Sequence, residues 1–210
     1  MKEQLFNHID ILPENYHVPD GLLSKEGIAD YCDQYETKIK ALGGIDLQIL
    51  GIGGNGHIGF NESGSLQNSK TRLVALDHIT RVDASVDFGG LEKTPRTAIT
   101  LGVKKIMEAK RVILLAWGEN KSNIIKVSTE GEVANRVPAS YLQEHNNVTF
   151  ILDKAAASKL IRINTPWLVE KIVWTDKLIS KAVLRLALYL KKPILMLTDA
   201  DYIENGMSDL

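Results

Sequence analysis

The chain has 210 residues, with 25 Lys plus Arg against 26 Asp plus Glu and a formal net charge of −1; that is enough for one α/β domain with additional material, and it leaves no basic face to track the phosphates of a nucleic acid. Cys32 is the only cysteine, which excludes an internal disulfide and a cysteine-based metal cluster and fits a reducing compartment. No apolar run has the length of a bilayer span and the start M-K-E-Q-L-F-N-H lacks the apolar core of a secretion signal, so no membrane association and a cytoplasmic location are expected.

Taken in chain order, residues 1–11 read as the tail of a helix with Leu5 and Phe6 apolar, followed by a loop around Pro13. A helix is predicted from Ser24, with Ile28, Tyr31, Cys32, Tyr35, Ile39 and Leu42 on one face, ended by Gly43 and Gly44. Cys32 lies in that stripe with nothing basic beside it, which makes it a core residue. Strands are predicted at residues 45–50, 71–76, 96–101, 111–117 and 147–152, and helices at 103–110, from Ser122, at 138–145 and at 153–160. Residues 78–90, H-I-T-R-V-D-A-S-V-D-F-G-G, make a poor continuous helix and read as an irregular, lid-like segment. Strands separated by helical patterns predict an α/β fold with a mostly parallel sheet and helices on both faces. From Arg162 the composition shifts to R-I-N-T-P-W-L-V-E-K-I-V-W-T, then an amphipathic helix at 176–190. The predicted division is therefore residues 1–160 as the α/β domain and 161–210 as an appended connector.

The chemistry concentrates in residues 47–62, L-Q-I-L-G-I-G-G-N-G-H-I-G-F-N-E. An apolar strand runs into a glycine-rich loop that delivers Asn55, His57 and Glu62 in close succession. Glycines let the backbone approach a ligand without an intervening Cβ, and in open α/β sheets ligands bind at the carboxyl ends of strands. An amide, an imidazole and a carboxylate in one short loop are a candidate acid–base site for a small polar molecule. A second strand, glycine turn and helix unit follows at Gly118-Glu119-Asn120-Lys121, where Lys121 at a helix start suits a phosphate.

The run L-G-I-G-G-N-G-H-I-G-F-N-E-S-G-S at 50–65 resembles the signature of the glucosamine-6-phosphate deaminases, also called isomerases. The resemblance continues through S-K-T-R (69–72), H-I-T-R-V-D-A-S (78–85), T-P-R-T-A-I-T-L-G (94–102), G-E-N-K (118–121) and N-V-T-F-I-L-D, and covers roughly residues 1–160. It implies a Rossmann-like three-layer sandwich and conversion of glucosamine 6-phosphate and water to fructose 6-phosphate and ammonia, with no metal and no cofactor. In that pattern His57 is the ring-opening histidine, Glu62 its partner carboxylate and Asn55 a position filled by Asp or Asn. Lys121, Gly54, Gly56 and Arg72 fall at positions that hold the sugar phosphate or lie near the lid.

Two departures accompany the match. The carboxylate base for the C2 proton and a Gly, Ser and Thr-rich phosphate loop lie upstream of the segment matching H-I-D-I-L-P-E-N, so the N-terminal strands of the fold are expected to be missing from this sequence. Val86 stands where family members often carry an arginine that contacts the phosphate. The R-I-N-T-P-W-L-V stretch resembles the connector of members fused to a deacetylase-like domain, so the chain is expected to be a portion of a longer deaminase that forms homo-oligomers at full length. The alternatives are a 6-phosphogluconolactonase, disfavoured by I-G-F-N-E after His57, and a non-catalytic sugar-phosphate-binding module.

Overall fold

A computed structural model describes the backbone of residues 1–210 and the side chains of all of them but Lys25. After short 3-10 turns, helix α1 spans Ile28–Ala41. Strand β1 (Leu47–Leu50) follows, then β2 (Arg72–Ala75), α2 (His78–Ala84), β3 (Thr97–Thr100) and α3 (Val103–Met107). Strand β4 (Arg111–Ala116), α4 (Ser122–Glu130) and β5 (Val148–Leu152) complete the domain. Three short or longer helices then close the chain: α5 (Ile161–Asn164), α6 (Asp176–Leu190) and α7 (Asp199–Glu204).

The main sheet is parallel, in the order β1-β4-β5, with Leu50 opposite Leu114 and Leu114 opposite Phe150. Side chains alternate across a strand, so Leu50, Val112, Leu114 and Ala116 share one face. That face is buried against Ile106 of α3, Ile124 and Ile125 of α4, and Ala139 and Leu142. Each such aliphatic side chain contributes roughly 1.5–3 kcal/mol by burial, which makes this face the stabilising centre that holds the β1 and β4 loops in place. On the opposite face Leu47, Ile49 and Ile151 are exposed. Cys32 is buried in α1, and burial pushes its thiol pKa up, away from reactivity.

Five local expectations are corrected. Residues 78–84, expected to be part of an irregular segment, form helix α2, started by the Asp77 cap, and only the stretch from residue 85 to the Gly89–Gly90 turn is irregular. Residues 1–11 hold only a 3-10 turn, Phe6–His8. Strands β2 and β3 pair antiparallel with each other, Arg72 opposite Thr100, outside the parallel sheet; antiparallel neighbours need no crossover, and only α2 and a turn separate them. The 138–145 segment is the 3-10 helix Pro138–Glu144, whose start is fastened to the glycine-rich loop by the Ala139 N–H, which donates to the Gly56 carbonyl. Residues 153–160 form turns, in which the Asp153 carboxylate accepts from the Gly118 and Ala156 N–H groups and ties the chain to the β4 loop.

The last fifty residues build a cluster of their own around Trp167, Ala182, Leu186 and Met207. Thr175 caps α6 by accepting from Leu178 N–H, and Lys191 closes it in the left-handed region with φ 53°. Thr198 and Asp201 cap α7 reciprocally. Among the described residues no helix is long and apolar enough to cross a membrane.

Candidate active site

The loop after β1 begins at the carboxyl end of an edge strand of the parallel sheet, and its shape is set by three anchors. Ile58 is fully buried and bridges to Asn61. Gly56, with φ +84°, lies so close to Val137 and Ile124 that a Cβ would sit 2.6 Å from Val137 Cγ1, so glycine is required there by both conformation and space. Asn61, with no exposed surface, donates from Nδ2 to the carbonyls of Ile58 and Leu101 at 3.0 and 2.8 Å and accepts from Arg72 at 2.9 Å.

These anchors bring Asn55, His57 and Glu62 into one hydrogen-bonded group. His57 Nδ1 lies 3.2 Å from Glu62 Oε2, with side chains 15% and 13% exposed. Asn55 donates from Nδ2 to the same Glu62 oxygen at 2.8 Å and accepts the His57 backbone N–H at 3.2 Å. The amide therefore aligns the loop and the carboxylate, and does not touch the ring edge itself. Because an ionised carboxylate only accepts, this network places the imidazole proton on Nδ1 and leaves Nε2 to act as acid or base.

The other expected residues are placed differently. Lys121, just ahead of α4, reaches back to donate to the Ile52 carbonyl at 2.9 Å, so its ammonium sits beside the glycine-rich loop. Arg72 donates to Asn61, to the Lys70 carbonyl and to Ser65 Oγ at 2.9, 3.1 and 3.0 Å, and burial lowers its pKa. It braces the loop's distal end. Gly54 is exposed, and a Cβ there would meet nothing within 4 Å. Val86 is 86% exposed.

Two residues of the site escaped the sequence reading. A Cβ at Gly53 would overlap the His57 ring, so this glycine, and not Gly54, gives the imidazole its place. Thr80 of α2, 5% exposed, brings its hydroxyl to 3.2 Å from His57 Nδ1. The H-I-T-R motif contained Thr80, but nothing in a linear motif marks which of its residues faces the histidine.

Fold and site together define an α/β protein with an imidazole–carboxylate pair at the carboxyl end of a parallel strand. The family model described as glucosamine-6-phosphate isomerases/6-phosphogluconolactonase matches residues 1–151. A glucosamine-6-phosphate deaminase-like protein of Bacteroides thetaiotaomicron is 50% identical over 210 residues, which is 100% of this chain and 32% of that protein. The glucosamine-6-phosphate deaminase of Clostridium novyi is 51% identical over 160 residues, 76% of this chain and 66% of its own length. A solved monomeric glucosamine-6-phosphate deaminase matches with a TM-score of 0.72 at 37% identity, covering 76% of this chain and 65% of that one. The chain belongs to the glucosamine-6-phosphate isomerase/6-phosphogluconolactonase family. It spans about a third of the length of the Bacteroides relative and just under two thirds of the Clostridium one.

Proposed function

We propose that this chain carries the ring-opening part of a glucosamine-6-phosphate deaminase, which converts D-glucosamine 6-phosphate and water to D-fructose 6-phosphate and ammonia. The observation that carries the reading is the His57–Glu62 pair in a chain about half identical to deaminases over 160 residues. Opening the pyranose breaks the C1–O5 bond, removes the proton of the C1 hydroxyl and adds one to O5. Nε2 of His57 takes the first proton and returns it to O5, and Glu62 on Nδ1 stabilises the imidazolium formed between the two transfers. Neither transfer requires a metal or organic cofactor. The C2 proton then goes to a carboxylate base, giving a C1–C2 enolamine; a proton delivered to C1 converts it to the C2 imine, water adds to C2, and the C2–N bond breaks to release ammonia and leave the ketose. We assign that base to the part of the relatives this chain does not span.

In this reading Lys121 supplies a point charge to the sugar phosphate, and Gly54 and Gly56 let the backbone come close to it without a Cβ between, the Gly56 N–H being already donated to the Gly53 carbonyl. Arg72 acts through the loop it braces, since its bonds to Asn61 and Ser65 would have to break for direct contact. Residues 1–160 form the sugar-phosphate domain and 161–210 the connector, supported by their separate apolar clusters. Cytoplasmic location and self-association at full length belong to the same proposal, the latter to be measured by sedimentation.

Ring opening has its own readout. Residues 1–210 should accelerate exchange between the α and β anomers of glucosamine 6-phosphate in proton NMR, and His57→Ala should abolish it. Ammonia release should require the remaining third of a homologous deaminase. Binding without accelerated anomer exchange would replace the deaminase reading with a binding module.

A further inference from the structure

Nδ1 of His57 meets two oxygens, and only one of them belongs to the acid–base pair. Glu62 Oε2 lies at 3.2 Å, long for a charge-assisted bond, which is ordinarily about 2.7–2.9 Å. That oxygen already accepts from Asn55 Nδ2 at 2.8 Å, so its hold on the ring is shared. Thr80 Oγ1 lies at the same 3.2 Å from Nδ1 and comes from a different element, the first turn of α2. The same turn reaches the carboxylate, since the Asp77 N–H donates to Glu62 Oε1 at 3.3 Å. Asp77 in turn caps α2 by accepting from the Ile79 N–H at 2.8 Å. The start of α2 thus contacts both members of the pair, while the far end of the helix is tied to the segment after it by Arg81, which donates to the Leu91 carbonyl.

We infer that Thr80 is a positioning residue: its buried hydroxyl shares the Nδ1 proton of His57 with Glu62, so that the placement of α2 decides how firmly the ring is held in the tautomer that frees Nε2. The consequence for turnover rests on the deaminase reading, but the arrangement itself does not. With both acceptors present the proton is confined to Nδ1. With Thr80 withdrawn, the single long bond to an already shared oxygen leaves the ring free to rotate and to populate the other tautomer.

Imidazole 15N NMR of His57 in residues 1–210 tests this without any turnover. The expected result is a protonated-type Nδ1, an unprotonated-type Nε2 and a visible Nδ1–H proton. In Thr80→Val, which keeps shape and burial and removes the oxygen, the two nitrogen shifts should converge and the N–H signal disappear. Thr80→Ser should restore both. Asp77→Ala, which uncaps α2, should give a partial convergence although residue 77 does not touch the ring. If Thr80→Val is too unstable to study, Thr80→Ala against Thr80→Ser makes the same comparison. Unchanged His57 shifts in the variants lacking the hydroxyl would overturn the proposal, as would failure of Thr80→Ser to restore them; an unaffected ring in Asp77→Ala would overturn the link to α2. Absence of anomer exchange in a chain with the expected shifts would instead count against the deaminase reading alone.

Discussion

The ring of His57 lies on the bare backbone of Gly53: a Cβ added there would fall within 2.5 Å of Nε2 and closer to Nδ1 and Cε1. Real Cβ contacts are never that short, so one of the two must move. Gly53 has no positive φ, so alanine meets no backbone penalty and the ring alone gives way. Gly53→Ala should therefore leave the melting temperature nearly unchanged, while anomer exchange falls on the order of 10²-fold, the usual consequence of an ångström-scale misplacement. Gly54→Ala is the control: with nothing near its Cβ, the His57 resonances should stay where they are. Equal effects of the two alanines on the ring would refute this placement.

Asn61 is the loop's structural pin. Its amide is buried and makes three bonds, to Ile58, Leu101 and Arg72. Asn61→Ala removes these three bonds, each worth about 0.5–1.5 kcal/mol net, while the Ile58 carbonyl keeps the backbone N–H of residue 61 and the Leu101 carbonyl keeps the Thr100 hydroxyl. A loss of roughly 2–4 kcal/mol in urea unfolding is expected, together with altered His57 shifts because residues 57–62 lose their anchor. A change below 1 kcal/mol would mean that water replaces the amide without penalty.

The parts of this architecture that local pattern can express were legible. The apolar runs of β1, β4 and β5, each bounded by glycine or a polar turn, and α6 at Asp176–Leu190 appear where periodicity and composition placed them. What pattern cannot express is partnership. Strands β2 and β3 read as further strands, but their pairing with each other depends on the path between them. The alanine-rich 153–160 stretch reads as helix but forms turns, and its tie to the β4 loop, through Asp153 accepting from a Gly118 N–H 35 residues away, has no mark in the sequence. The same division runs through the site: Asn55, His57 and Glu62 are close in the chain, whereas Thr80 reaches His57 across 23 residues, and only the packed ring distinguishes Gly53 from its neighbours.

The far face of the parallel sheet supplies a third prediction. Leu47, Ile49 and Ile151 are 47%, 58% and 51% exposed, and the register places them on one face with Ile113 and Leu115 between them. An apolar sheet face with β1 at its edge is an aggregation hazard. Residues 1–210 alone should bind a hydrophobic dye and melt broadly. Ile49→Lys should reduce dye binding and raise solubility without lowering stability by more than about 0.5 kcal/mol, the range of surface substitutions. A destabilisation of several kcal/mol would show that this face is packed in solution.

The α6–α7 segment should have an acid limit of its own. Lys192 donates to Asp201 Oδ1 at 2.6 Å, and the Thr198 backbone N–H and hydroxyl both donate to Oδ2 at 2.9 Å. The Lys192 bond first, then those from Thr198, hold the Asp201 carboxyl below its ordinary value. Between the lowered folded value and the unfolded value of about 4, the unfolded chain binds a proton that the folded chain does not. Asp201 thus stabilises the α6–α7 unit fully above that range, and the contribution is lost as pH falls through the folded value. Trp167 and Trp174, ring centroids 5.8 Å apart, lie in or against this cluster, and the remaining tryptophan, Trp117, is 65% exposed. In a Trp117→Phe background, tryptophan emission should therefore hold steady from neutral pH to about pH 4 and shift red below it. Asp201→Asn keeps an acceptor for Thr198 and removes the titration, so it should lower stability at pH 7 and flatten the acid shift. Lys192→Met weakens the hold on the carboxylate and should move the shift to higher pH. An acid midpoint identical in all three chains would show that another carboxylate governs the unfolding of this segment.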